Sequence, residues 1–422
     1  MLYTFLSLRN RSFTVSTAYD TSFGTWPASI LIGYLNNDSE LDIVVGQLFG
    51  AQISVFLGLG NGTFSVSIAF TNSDQGGPNF VIIADLDNDN CSDIVAAKGG
   101  VHVIEIMYGM CDGTFSRRET VPTLPGALPS FLDVRDLDKN GWPDIVVLNS
   151  ALSSVTVMFG HINNSFDDQI TMSIGKDAQS SAVVIVDVND DDLDDIAVVN
   201  SQSSAVVIFL GYVNRTFFSQ ITYSTGYNTY PVSAVFADFN DDRQLDMVVC
   251  NTKSDNIGIH FGYSSTSFVS LPAYSAGVFS RPMSIVIEDF NNDTQLDVAV
   301  VNSRTDNLMV LLGSTFGTFI ENDNIIGIFL GKSNGMFANQ SIYSTGLQSQ
   351  PSSVRIGDFN NDTLLDIVVA NYGSNTVGVF HGYGNGNFSE QIIFSIGFNS
   401  RPFALSVADV NEDNVTDIII GN

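Results

Sequence analysis

The chain has 422 residues and carries 45 Asp and Glu against 16 Lys and Arg, a formal net charge of −29. That balance argues against nucleic acid and anionic membrane surfaces as partners, because phosphate contacts need clustered Lys and Arg. Three cysteines do not make a disulfide framework, and no run approaches the roughly 20 apolar residues of a spanning helix, so membrane insertion is not expected.

The first eight residues, MLYTFLSL, have the apolar character of a signal peptide but lack a charged leading segment and a cleavage site. Residues 4–8 followed by 13–19 instead align with residues 55–57 followed by 64–70. A strand pair is therefore predicted here, and the true N-terminus with its signal peptide is expected upstream.

From Tyr34 onward a nonapeptide of the form D-x-[ND]-x-[DN]-x-x-x-D recurs, each copy running into a short apolar stretch. Its leading residues are Asp85, Asp136, Asp187, Asp238 and Asp289, each 51 residues after the last, then Asp358 and Asp409, again 51 apart. A strict period of this size signals a repeat architecture. Positions one, three, five and nine all carry side-chain oxygen. The sets are Asp85, Asp87, Asp89 and Asp93; Asp136, Asp138, Asn140 and Asp144; Asp187, Asn189, Asp191 and Asp195; and Asp238, Asn240, Asp242 and Asp246. They continue with Asp289, Asn291, Asp293 and Asp297; Asp358, Asn360, Asp362 and Asp366; and Asp409, Asn411, Asp413 and Asp417. The first copy retains Asn36, Asp38 and Asp42 but has Tyr34 at its head, so a weak or empty site is expected there.

An all-oxygen set of this kind suits a hard divalent ion such as calcium. Two unit charges at about 4 Å repel by roughly 1 kcal/mol in water and roughly 4 kcal/mol at an effective dielectric of about 20, so crowded carboxylates make sense with a cation among them. The loop is not an EF-hand, because position twelve falls on an apolar residue such as Val249 instead of a bidentate Glu. The competing reading is that Asx-rich loops merely form turns. Seven copies with oxygens at identical offsets favour calcium, in about seven structural sites.

Each repeat reads as four strands. In the unit opening at Pro231 they are predicted at residues 232–237, 247–250, 257–261 and 268–274. Continuous runs such as Ile43-Val44-Val45 imply strands buried on both faces. Asn-Gly and Asp-Gly turns, at residues 60–64, 112–115 and 385–388, join the third strand to the fourth. Four-stranded antiparallel units in tandem, with no helical pattern, predict an all-β β-propeller over residues 1–422. The repeat count gives eight blades, one of them split between residues 1–26 and 402–422. Residues 308–313 and 325–331 both match a third strand, so the blade over 282–350 holds either an extra hairpin or the remnant of a lost repeat. The second alternative would leave seven.

These residues resemble the FG-GAP/VCBS repeat family, whose best-known members form the propeller of integrin α chains. The resemblance spans essentially the whole chain. It rests on the Asp-Phe-Asn-Asn-Asp loops at Asp289 and Asp358, the following Ile-Val-Val strand, and the Phe-Leu-Gly-x-Gly-Asn-Gly-x-Phe hairpin at residues 56–64. It implies a secreted or cell-surface propeller with calcium on one rim and ligand recognition on the other. No leg domains, membrane helix or cytoplasmic tail of an integrin α subunit accompany it here.

Other features point to recognition more than catalysis. Loops from a fourth strand into the next first strand carry Phe23 and Trp26, Tyr227 and Tyr230, Phe279 and Arg281, and Phe398 and Arg401, residue types favoured at binding hot spots. Of these Trp26, Tyr227, Tyr230, Phe279, Arg281 and Arg401 are the candidate ligand contacts, for an extracellular protein or a glycan; the alternative is that the rings wedge between blades. His102, His161, His260 and His381 are too dispersed for a metal cluster and are expected to be satisfied surface or core residues. The recurring carboxylates lack the single differentiated pair that acid–base catalysis needs, so a non-enzymatic module is expected. A lectin-like propeller, or the accessory propeller of a larger secreted enzyme, is the alternative. Cys91 and Cys111 are expected to be free thiols more readily than a pair. Asn-x-Ser/Thr sequons occur at Asn10, Asn37, Asn61, Asn163, Asn214, Asn292, Asn339, Asn361, Asn387 and Asn414, those in hairpins being open to glycans in a secreted protein.

Overall fold

The structure, a computed structural model, describes residues 2–8, 12–19, 21, 27–65, 68–71, 76–166, 168–176, 178–212, 215–264, 267–314, 336–397 and 399–421. Asn10, Phe23, Trp26, Asn214, Phe398 and the second third-strand match at residues 325–331 lie outside them. The described residues form eight antiparallel sheets of four main strands and one short 3-10 turn, Gly99–Val101. Chain order is also pairing order within every sheet but the one that joins the termini, and this is the blade set of an eight-bladed β-propeller. No helix among the described residues is long and apolar enough to cross a membrane.

The chain divides into two compact units. One comprises Met1–Val183, Gly211–Phe218 and Phe403–Asn422. Here Pro27–Gly33, Asp42–Gln47, Gln52–Phe56 and Ile68–Thr71 form the first full sheet, and two more follow over residues 80–122 and 129–173. Its remaining sheet joins the termini: Leu2–Leu8 pairs with Ser12–Tyr19 on one side and with Asp417–Gly421 on the other. The N-terminal segment is thus a strand pair, extended by the C-terminal one.

The other unit comprises Val184–Leu210 and Ser219–Pro402, with full sheets opening at Pro231, Pro282 and Pro351. The sheet from Ser180 to Ser224 contributes residues to both units. In the irregular repeat Asn307–Ser314 pairs directly with Met336–Ser344, so this sheet is complete and the count is eight. In the sheet opening at Pro231 the predicted fourth strand is broken into Ser267–Ser270 and Tyr274–Ser275, because Pro272 offers no donor to a ladder.

Second strands are buried throughout their length, as in Asp246–Asn251 and Asp366–Asn371, which is why they read as unbroken apolar runs. Their two faces pack on neighbouring sheets. Val95, Ala97 and Ile106 meet Leu132, Ile145 and Val147 on one side, while Ile94, Ala96 and Met107 meet Val44, Ile53 and Val55 on the other. Full burial stabilises each such side chain by about 1.5–3 kcal/mol. The opening proline of five sheets sits at a register shift, as between Pro231 and Ser233, where a missing N–H costs no ladder bond.

The thiol expectation is overturned. Cys91 and Cys111 form a disulfide with a Cα–Cα distance of 4.8 Å. Cys91 is the seventh residue of an acidic loop and Cys111 lies in the hairpin after the third strand, and sheet topology brings both to the same end. Cys250 is a buried free thiol.

Candidate metal centre

The ninth loop residue opens the second strand and is wholly buried in all eight copies. Its carboxylate accepts two backbone N–H groups. Asp246 Oδ2 accepts from Phe239 at 2.9 Å and Oδ1 from Gly262 at 2.8 Å. The same pair recurs at Asp42, Asp93, Asp144, Asp297 and Asp366. This aspartate therefore staples the acidic loop to the end of the third strand. Seven of the eight copies place a glycine on that end, where a Cβ at Gly262 would lie 2.6 Å from the Leu245 carbonyl oxygen and one at Gly382 would lie 2.2 Å from that of Leu365. In the sheet joining the termini Ser7 takes this place. Its N–H donates to Asp417 and its hydroxyl donates to the Thr416 carbonyl, the very group a Cβ crowds elsewhere.

Burial pushes the carboxyls of Asp93, Asp246, Asp297 and Asp417 up to about 7 and that of Asp144 to about 6. The two N–H groups oppose this, and the loop's other carboxylates add to it.

The rest of the loop is wound around the leading aspartate. Asp85 Oδ1 accepts from the N–H of Asp89 and Oδ2 from that of Asn90, at 3.1 and 2.9 Å. Every Asp-led copy repeats the pair. The winding puts positions four and six in the left-handed region, as at Asn88 (φ 55°) and Asn90 (φ 65°). Asn and Asp tolerate that conformation, which accounts for the loop's Asx content beyond its ligand positions.

The third position behaves differently. Asp87 Oδ1, Asn189 Oδ1 and Asn291 Oδ1 are buried with no hydrogen-bond donor. Asp85, Asp87 and Asp89 offer oxygens within 4.8 Å of one another, as do Asp136, Asp138 and Asp144. Burial first, then the charges of Asp89 and Asp85, hold the Asp87 carboxyl above the usual carboxylate range. An oxygen set with a buried acceptor lacking a donor and mutually repelling carboxylates fits a hard cation.

The loops are not equivalent. In the first copy the exposed Tyr34 cannot accept the N–H groups, and Asn36 donates instead to Asp38 at 2.6 Å. Beside it lies a cleft of about 450 Å³ bordered by Glu40, Asp409, Glu412 and Asn414. In the Asp358 copy the buried His381 places Nδ1 2.9 Å from Asp366 Oδ2. In the Asp136 copy Arg215 Nε donates to Asp138 Oδ2 at 2.6 Å and Nη1 to Asp168 Oδ2 at 2.9 Å. Sequence reasoning missed Arg215, whose position matches Asn164 one period earlier but whose residue type has no counterpart there. It also missed the glycine at the end of the third strand, although Gly58, Gly109, Gly160, Gly211, Gly262 and Gly313 keep the same 51-residue spacing. The expectation of satisfied histidines fails at two positions, because His260 Nε2 and His381 Nε2 are buried without a partner.

At the opposite end of the sheets, the turn after the second strand caps the loop that follows the fourth. Asp255 accepts from the N–H groups of Phe279 and Arg281, both left-handed, at 2.8 and 2.9 Å. Asp306 does the same for Gln348 and Gln350. The loops so held present Tyr227 at 99 % exposure, Val278 at 79 % and Leu347 at 94 %. Phe279 is exposed beneath the Arg304 guanidinium, Arg281 and Arg401 are exposed, and Tyr230 is half-buried.

Six segments of the chain match the FG-GAP-like repeat: residues 35–96, 85–147, 136–198, 187–249, 238–300 and 358–420. No curated protein matches the chain. Among solved structures it is similar to a candidate 6-phosphogluconolactonase from Bacteroides fragilis, at 12 % identity and a TM-score of 0.53, over 92 % of this chain and 99 % of that one. It is also similar to virginiamycin B lyase from Staphylococcus aureus, at 10 % identity and a TM-score of 0.48, over 81 % and 98 % of the two chains. At such identities the likeness is one of fold.

Proposed function

Because the chain belongs to the FG-GAP-like repeat family, we propose that its acidic loops hold structural calcium ions and that the stiffened sheets serve as a non-enzymatic recognition module outside the cell. The observation that carries the calcium reading is the third-position oxygen, buried and without a donor at Asp87, Asn189 and Asn291 among neighbouring carboxylates. Positions one, three and five would supply the ligands, and the ion would supply the positive charge that the backbone donors provide only in part. The extracellular placement draws support from the Cys91–Cys111 disulfide, since such bonds persist in oxidising compartments. Recognition of a protein or glycan is assigned to the end away from the acidic loops, where Tyr227 stands exposed on a loop held by Ser204 and Phe279 on one capped by Asp255. The residues matching Tyr227 in the next two repeats are Val278 and Leu347, so the surface is not a repeated aromatic platform of the kind a one-sugar-per-blade lectin would need.

Calorimetric titration of the chelator-stripped chain tests the reading. Calcium uptake with a rise in melting temperature is expected. Melting unchanged between excess chelator and millimolar calcium would overturn it.

A further inference from the structure

We infer that Arg215 is the resident cation of the Asp136 loop, which the chain holds shut by itself while the Asp85, Asp187 and Asp289 loops require a divalent ion. The inference rests on the calcium reading above and narrows it to particular loops.

Two loops provide an internal comparison. Each has an aspartate at its third position, and each receives a hairpin residue 77 positions further along the chain. In the Asp85 loop that residue is Asn164, whose neutral amide donates to Asp87 Oδ2 at 3.3 Å and leaves Oδ1 without a donor. In the Asp136 loop it is Arg215. There Asp138 Oδ2 accepts from Arg215 Nε and from Asn140 Nδ2, while Oδ1 accepts the Asn140 N–H at 3.1 Å. Both Asp138 oxygens therefore have donors.

The guanidinium is built into place. Nη1 reaches Asp168 Oδ2 and His161 Nε2, and the guanidinium carbon lies over the Phe159 ring, 5.2 Å from its centroid. Asp138's side chain is only 6 % exposed and that of Arg215 28 %, so the carboxylate end of the pair is shielded from water and from salt. Arg keeps its charge at every accessible pH. A divalent ion entering this loop would have to displace that donor or sit against a like charge, whereas in the Asp85 loop it meets an acceptor in need of a partner.

The test is calcium stoichiometry of the full chain by equilibrium dialysis, joined to hydrogen exchange with and without chelator. The wild type is expected to take up fewer ions than it has Asp-led loops, and Arg215→Gln to take up one more than the wild type. Exchange in the wild type is expected to accelerate at least tenfold on chelation over residues 85–93, 187–195 and 289–297, with residues 136–144 unchanged. Equal stoichiometry in the two chains, or acceleration at residues 136–144 matching the other loops, overturns the inference and leaves the calcium reading standing. Should Arg215→Gln not fold, wild-type exchange decides alone. No calcium uptake by either chain overturns both.

Discussion

The two ends of each sheet are built from the same residue types and reach opposite electrostatic outcomes. At the end bearing the turn after the second strand, one Asx side chain faces two backbone N–H groups; Asp255 with Phe279 and Arg281 is the clearest case, and Asp306 with Gln348 and Gln350 repeats it. Those two carboxylates are matched to donors without an ion. At the acidic end the first and ninth residues are likewise matched to N–H groups, but the third and fifth bring further oxygens into the same turn. Loop donors run out at the third position in the Asp85, Asp187 and Asp289 copies, whereas Asp138, Asn240 and Asn411 each accept the N–H two residues on. An aspartate in a turn is therefore no evidence of a metal by itself; the surplus of acceptors over donors is. Buried side-chain oxygens without donors also occur at Asn149, Asn251, Asn302 and Asn371, which close second strands. Those amides are as neutral as Asn189 and Asn291, but they stand at the other end of the second strand, away from the carboxylates that make the acidic loops fit a cation.

The sharpest way to break this contrast is at the ninth position, expected from the sequence to be a ligand and found as a staple to two backbone N–H groups. Asp246→Ala would strip the buried N–H groups of Phe239 and Gly262 of their acceptor. A loss of about 3–5 kcal/mol is expected from denaturant unfolding, in calcium and in chelator alike. A loss seen only in calcium would make the residue a ligand and nothing more.

A smaller effect is expected at the other end. Asp255→Ala removes a cap from Phe279 and Arg281 and should cost about 1–2 kcal/mol. That cost should be the same with and without calcium. A calcium-dependent cost would erase the distinction between the ends.

The smallest effect lies between them, on the third strand. His260 is buried, bonds Ser270 through Nδ1 and leaves Nε2 unpartnered, and burial lowers its pKa to about 4. The folded chain thus resists a proton that the unfolded chain accepts near 6.5. Stability should fall as pH drops below about 6.5 and the full loss, at most about 3 kcal/mol, should be reached near pH 4. His260→Phe, the residue found at the matching place in Phe56 and Phe380, should flatten that slope and stabilise the chain by about 1 kcal/mol at pH 7. Thermal melts of both chains from pH 4 to pH 8 check this, and parallel slopes would rule it out.

Much of the fold was legible in the chain because a 51-residue period repeats the same local instructions: a proline to open, an apolar run, and Asx residues where the backbone turns left-handed. Each acts over a few residues, and repetition makes each readable. The candidate ligands were legible for the same reason. The unequal fates of the loops were not, since Arg215 reaches Asp138 across 77 residues and Tyr34 and His381 break the pattern at single positions.

Local chemistry along the chain thus determined that blades form and where oxygens gather, while the pairing of Asn307–Ser314 with Met336–Ser344 fixed their number. Only tertiary structure decided which of those oxygens already have donors, that Cys91 meets Cys111, and that one loop is closed by an arginine. The reason is physical. Backbone conformation follows from neighbours in sequence, whereas the satisfaction of a buried charge depends on whatever group packing brings within about 3 Å, and no periodicity records that.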